Sequence, residues 1–152
     1  MTVLYSTRWH AAEDVVRVAQ AWLGTPYHHQ ASVKGAGADC LGLVRGVWRD
    51  LYGHDAEAPP AYSRDWAEAQ GRETMLEAAR RHLYEIAPSQ ARAGDVLIFR
   101  LRALTVAKHA AIIASETTMI HAMEGGPAAE VALGPWWRRR IAGAFSFPGT
   151  QR

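Results

Sequence analysis

A change of hydrophobic period partway along the chain constrains its fold more than any other feature. Val15, Val16, Ala19, Trp22 and Leu23 recur at helical spacing over residues 11–23, and Gly24 is a natural stop. Leu41, Val44, Trp48 and Leu51 form a second helical stripe over about 40–52, with Gly53 just past its end. From residue 93 the pattern is that of strands. Ala93-Gly94-Asp95 is a turn signal before Val96-Leu97-Ile98-Phe99, and apolar runs follow near 107–114, 118–123 and 141–147. Gly125-Gly126-Pro127 marks another turn, with a short strand expected near 129–133. Helices first and an antiparallel meander afterwards predict an α+β domain, with N-terminal helices packed on an antiparallel β-sheet. Between the halves, Pro59, Pro60 and Gly71 punctuate a polar stretch that is helical over about 65–84. It reads as a helical insertion, at about 54–92, in a single domain covering residues 1–152.

Composition narrows the function classes. A length of 152 residues suits one domain burying roughly two-thirds of its unfolded surface. Hydrophobic residues at 49% against 21% charged exclude a disordered chain, and a net charge of +2 gives no case for nucleic acid. No apolar run approaches the ~20 residues of a membrane span, so no membrane insertion is expected. The segment Met1-Thr2-Val3-Leu4-Tyr5-Ser6-Thr7-Arg8 lacks a basic region followed by an apolar one, so the expectation is synthesis in the cytoplasm without a signal peptide.

Cys40 is the single cysteine, which rules out a disulfide within the chain. Small residues lead into it through Gly35, Gly37 and Ala38, and a helical stripe runs away from it. At a helix N-terminus, unpaired backbone N–H groups favour thiolate over thiol. A buried structural thiol is the commoner fate of a free cysteine, but His109 and His121 lie downstream in apolar strand-like segments and shift the reading to a nucleophile. Were 109 and 121 directly opposed across a hairpin centred on Ser115, their Cβ atoms would lie ~4.5–5.5 Å apart on one face. Asp39 reads as the cap of the helix that Cys40 starts, since a carboxylate beside the thiol opposes its ionisation. Trp136-Trp137-Arg138-Arg139-Arg140 reads either as a partner-docking patch or as one packed tryptophan with solvated arginines.

Gly24-Thr25-Pro26-Tyr27, Asp39-Cys40-Leu41-Gly42-Leu43-Val44, Gly94-Asp95-Val96, His109-Ala110-Ala111-Ile112-Ile113 and Ile120-His121-Ala122 resemble, in order, the NlpC/P60 superfamily of cell-wall cysteine peptidases. More narrowly, the chain resembles the short versions encoded with tail genes of phages and gene-transfer agents. The resemblance implies a papain-like core and hydrolysis of amide bonds in peptidoglycan stem peptides, with no cofactor and no metal. It implies Cys40 as nucleophile, His109 as general base, His121 as the residue orienting His109, and Tyr27, with the Cys40 backbone, as polariser of the substrate carbonyl. Leu41 stands where many relatives have serine, and His28-His29-Gln30 replaces the usual residues after the tyrosine, which places His28 and His29 at the mouth of the substrate cleft.

The leading reading is therefore a murein endopeptidase carried in a phage or phage-like tail, acting on the cell wall and docked on tail-tip or hub proteins through the Trp-Trp-Arg stretch. An amidase or acyltransferase using the same Cys-His site remains open, as does a catalytically idle tail-tip docking protein. A structural zinc module on Cys40, His109 and His121 is weaker, because structural zinc normally takes four ligands.

Overall fold

The computed structural model describes residues 11–56 and 71–151. Helix α1 (Ala12–Gln20) starts with Glu13 and Asp14 in its first turn, where carboxylates complement the helix dipole. It buries Val15 and Ala19, and the turn after it buries Trp22, whose Nε1–H donates to Asp50 at 3.0 Å. A small hairpin of β1 (Ser32–Val33) and β2 (Gly37–Ala38) leads into α2 (Cys40–Tyr52). Gly53 ends α2 in the left-handed region at φ 84°, which glycine adopts without Cβ strain, and its N–H returns to the Arg49 carbonyl at 2.7 Å.

Two glycines on α2 let other parts of the chain come close. A Cβ at Gly42 would stand 1.8 Å from the Ala31 carbonyl oxygen, and one at Gly46 would stand 2.0 Å from the Trp22 ring. Neither distance is compatible with a side chain, so the loop before Cys40 and the end of α1 seat directly on the helix backbone.

After the undescribed residues 57–70 come α3 (Thr74–His82), β3 (Tyr84–Ile86) and a short 3-10 turn (Pro88–Gln90). The first half of the expected helix over 65–84 thus lies outside the described residues, and its second half is α3. The stretch read as a helical insertion is not all helix, since β3 joins the main sheet as an edge strand beside the last one. The other strands are β4 (Val96–Phe99), β5 (His109–Ile113), β6 (Thr118–His121), β7 (Ala129–Ala132) and β8 (Ile141–Ser146), with a short helix α4 (Pro135–Arg138) before β8. The sheet order is β3-β8-β4-β5-β6-β7, every neighbouring pair antiparallel.

β4 and β5 are buried along their whole length, because both faces of the sheet are covered. On one face Val96, Ile98, Ala110, Ile112 and Ile120 pack with Leu43, Val47 and Leu51 of α2. On the other, Leu97, Phe99, Ala111, Ile113 and Met119 pack with Leu133 and the half-buried Trp137. Ile112 pairs with Ile120 and Ile113 with Met119. That register sets His121 opposite Ala111 rather than opposite His109, an offset of two residues from the expected pairing. An even offset preserves the face, so the two histidines still share one, as a diagonal pair. A bulge between Ile98 and Phe99, where β4 meets β8, lies at the end of the sheet where Phe99 pairs with His109.

Candidate functional site

The loop before Cys40 is built around one carboxylate. Asp39, almost fully buried, is the N-cap of α2 and accepts the Gly42 N–H at 2.7 Å through one oxygen. Its other oxygen accepts the Gln30 N–H at 2.8 Å, and its own N–H donates to the Ala31 carbonyl at 3.3 Å. These bonds clip the 28–31 turn to the helix and leave Cys40 as the first helical residue. Just upstream, Tyr27 bridges Ala38, with the His28 N–H donating to the Ala38 carbonyl at 3.2 Å. Tyr27 is half-buried, His28 exposed, and His29 half-buried with Nδ1 4.0 Å from the Asp39 carboxylate. The loop therefore brings Tyr27, His28 and His29 to the segment that carries Cys40.

The thiol meets β5 where that strand begins. Sγ lies 3.7 Å from the Lys108 carbonyl oxygen and also meets the backbone N–H of Ala110. Those residues stand on either side of His109. Between those two residues, His109 turns its ring towards Phe99 and Trp137, and its Nε2 lies 2.9 Å from His121 Nδ1. Both rings are buried, at 4% and 7% exposure, so this bond is shielded from competing water. The Trp137 and Phe99 rings complete the surround of His109, at 5.5 and 6.0 Å between centroids.

The docking patch expected at 136–140 divides. Trp137 turns inward onto the histidines, whereas Trp136 is 46% exposed with the Arg140 guanidinium 3.7 Å above its ring. Arg138 and Arg139 are exposed, and Arg138 is committed to the carbonyls of Leu133 and Glu116. Trp137 was legible in sequence only as an aromatic of unassigned direction, because a four-residue helix has too little periodicity to show which ring faces inward.

Burial and then the Asp39 charge push the Cys40 thiol up to about 12, although backbone N–H groups of Ala110, Leu41 and Cys40 pull the other way. The expectation that the helix start favours thiolate is thus reversed in the resting protein. Burial and then the neighbouring His121 push His109 down to about 3, and burial also lowers His121. At neutral pH the site rests with a protonated thiol and two neutral imidazoles. The two rings spend one nitrogen each on one another, and among the described residues no group of three or more His, Cys, Asp and Glu is arranged to hold a metal ion.

The lowered histidines have a consequence for stability. His109 binds its proton more weakly in the fold than in the unfolded chain. Its contribution is complete above the ordinary value of 6.5 and is lost as pH falls from there towards about 3. His121, shifted in the same direction, adds to this loss. Thermal melting should therefore show Tm falling between about pH 7 and pH 4, with a free-energy loss on the order of a few kcal/mol. His109→Gln should flatten that slope, and an unchanged slope in the variant would show that His109 does not carry it.

The NlpC/P60 family model matches residues 24–146, which includes every element from the loop before Cys40 to β8. The chain is 26% identical over 134 residues to the gamma-DL-glutamyl hydrolase of Bacillus subtilis (strain 168), covering 88% of this chain and 29% of that protein. It thus spans less than a third of that relative's length. Among solved structures it is similar to the NlpC/p60 domain of the peptidoglycan hydrolase SagA, with a TM-score of 0.65 at 23% identity, covering 90% of this chain and 98% of that one. An NlpC/P60 family protein from Bacillus cereus ATCC 10987 superposes with a TM-score of 0.67 at 19% identity, covering 93% of this chain and 42% of that one. The chain shares its α+β architecture with both solved structures, and the match over residues 24–146 places it in the NlpC/P60 family.

Proposed function

We propose that the chain is a cysteine peptidase that hydrolyses amide bonds in peptidoglycan stem peptides, with Cys40 as nucleophile, His109 as general base and His121 as the residue that orients it. The observation that carries this reading is the contact of the Cys40 thiol with the β5 backbone on both sides of His109, whose Nε2 meets His121 Nδ1 at 2.9 Å. The name of one similar protein, a peptidoglycan hydrolase, supports the substrate class, and that of another, a gamma-DL-glutamyl hydrolase, supports hydrolysis at a glutamyl bond.

The hydrogen bond between the rings can run in either direction, and the proposed chemistry uses one of them. If His109 carries its proton on Nε2 and donates it to His121 Nδ1, then His109 Nδ1 keeps a lone pair to receive the thiol proton. Because the thiol rests protonated, that transfer accompanies attack on the substrate carbonyl. The sulfur bonds to the carbonyl carbon, and the oxyanion is held by backbone N–H at the start of α2 with Tyr27 on the adjoining loop. The imidazolium returns its proton to the departing amine, the C–N bond breaks, and a thioester remains on Cys40. Water, deprotonated by His109, then releases the acid and restores the thiol.

Delivery in a phage or phage-like tail is the finer part of the proposal. It rests on the resemblance to short tail-encoded versions and on the exposed Trp136–Arg140 pair as a surface for a tail-tip protein. That pair equally favours a docking role without catalysis, so digestion of defined muropeptides separates the two readings. Cys40→Ala should abolish cleavage with the circular dichroism spectrum unchanged. His109→Ala should lower kcat about a thousandfold and His121→Ala by about ten- to a hundredfold, since the base serves both proton transfers. Wild-type cleavage by Cys40→Ala, or equal and mild losses from both histidine variants, would contradict the assignment.

A further inference from the structure

Trp137 touches both histidines, and it carries no group that could serve as nucleophile or base in the proposed reaction. Its ring centroid lies 5.5 Å from that of His109 at 31° and 5.5 Å from that of His121 at 87°. The two imidazoles are themselves crossed at 83°, with centroids 5.1 Å apart. The indole is thus tilted to one ring and nearly perpendicular to the other, a wall set against their crossed arrangement. Phe99 backs it from 5.0 Å in an edge contact.

The wall is fixed to the same hairpin that carries the histidines. Arg138, the next residue, donates to the Leu133 carbonyl at 3.0 Å and to the Glu116 carbonyl at 2.8 Å, and Glu116 lies in the turn between β5 and β6. The Trp137 carbonyl accepts the Arg140 N–H at 2.9 Å, and Trp136 packs edge-on against Trp137 at 4.9 Å. Short as it is, α4 is held at both ends.

Such a wall has work to do because an imidazole pair joined by one hydrogen bond is easily misaligned. Rotation of either ring about its χ2 replaces a nitrogen by a carbon in the bond, and the opposition to it from one hydrogen bond is only about 1 kcal/mol. We propose that Trp137 is a positioning residue that holds His109 and His121 in the one mutual orientation that presents Nε2 of the first to Nδ1 of the second.

This inference rests on His109 and His121 acting as base and orienting residue, and its test separates the two ideas. The imidazole ¹⁵N resonances report tautomers without substrate, and cleavage of muropeptides gives kcat and KM. Wild type should show a single tautomer for each ring, with the proton on Nε2 of His109. Trp137→Leu, which keeps apolar bulk but has no flat face, should give mixed or exchange-broadened tautomers. Its kcat should fall about tenfold with KM nearly unchanged. Trp137→Phe should restore both the spectrum and most of the rate. Wild-type tautomers and kcat in Trp137→Leu would overturn the proposal, and so would a Phe variant as impaired as Leu in both readouts. If the wild-type protein cleaves no muropeptide, the hydrolase reading falls while the tautomer comparison still decides the role of Trp137.

Discussion

A buried carboxylate, Asp39, is the joint on which the site depends. Between Gly42 and Gln30 it satisfies a helix-end N–H and a loop N–H at once, and so welds the segment bearing Tyr27, His28 and His29 to the start of α2. Gly42 makes the weld geometrically feasible, because any side chain there would occupy the space taken by the Ala31 carbonyl. With the joint in place Cys40 has no choice of position. It projects from the first turn of α2 onto the beginning of β5, where the small Ala110 on the helix-facing side lets helix and strand come together.

The same carboxylate works against the nucleophile. A negative charge next to a partly buried thiol disfavours thiolate, and together with burial it outweighs the N–H groups that gather at the helix start. The histidines are biased the other way, towards the uncharged form, by a setting of Phe99, Trp137 and each other. The site is therefore uncharged at rest at neutral pH. Under the proposed mechanism, charge would appear in it only when a substrate carbonyl is there to take the sulfur electrons, which would make the backbone N–H groups at the helix start partners of the oxyanion more than of a resting thiolate.

The parts of this arrangement that follow from local chemistry were legible in the sequence. The second helix begins and ends where Asp39, Cys40 and Gly53 say it should, because a cap, a helical stripe and a left-handed stop coincide. Four apolar runs became β4, β5, β6 and β8 for a similar reason. Register was less legible. Ile112, Ile113, Met119 and Ile120 are all apolar, and a pairing two residues away leaves every side chain on the same face, so alternation does not choose between the two registers. The inward turn of Trp137 depends on the Arg138 link to Glu116, a contact between residues 22 apart in sequence. The joining of β3 to β8 likewise spans the chain, and no local signal in Tyr84-Glu85-Ile86 announces it. The net sign of the field at Cys40 required burial to be known, which sequence spacing does not supply.

The resting protonation of Cys40 is the point at which these strands of argument meet, and alkylation kinetics reads it directly. The rate of iodoacetamide reaction at the single cysteine, followed by intact mass, should rise about tenfold per pH unit from about pH 7 to pH 10 without levelling off. That outcome is expected of a thiol held up to about 12 beside neutral imidazoles. A fast rate that is flat from about pH 5 to pH 8 would reveal a preformed thiolate–imidazolium pair and contradict the neutral resting site.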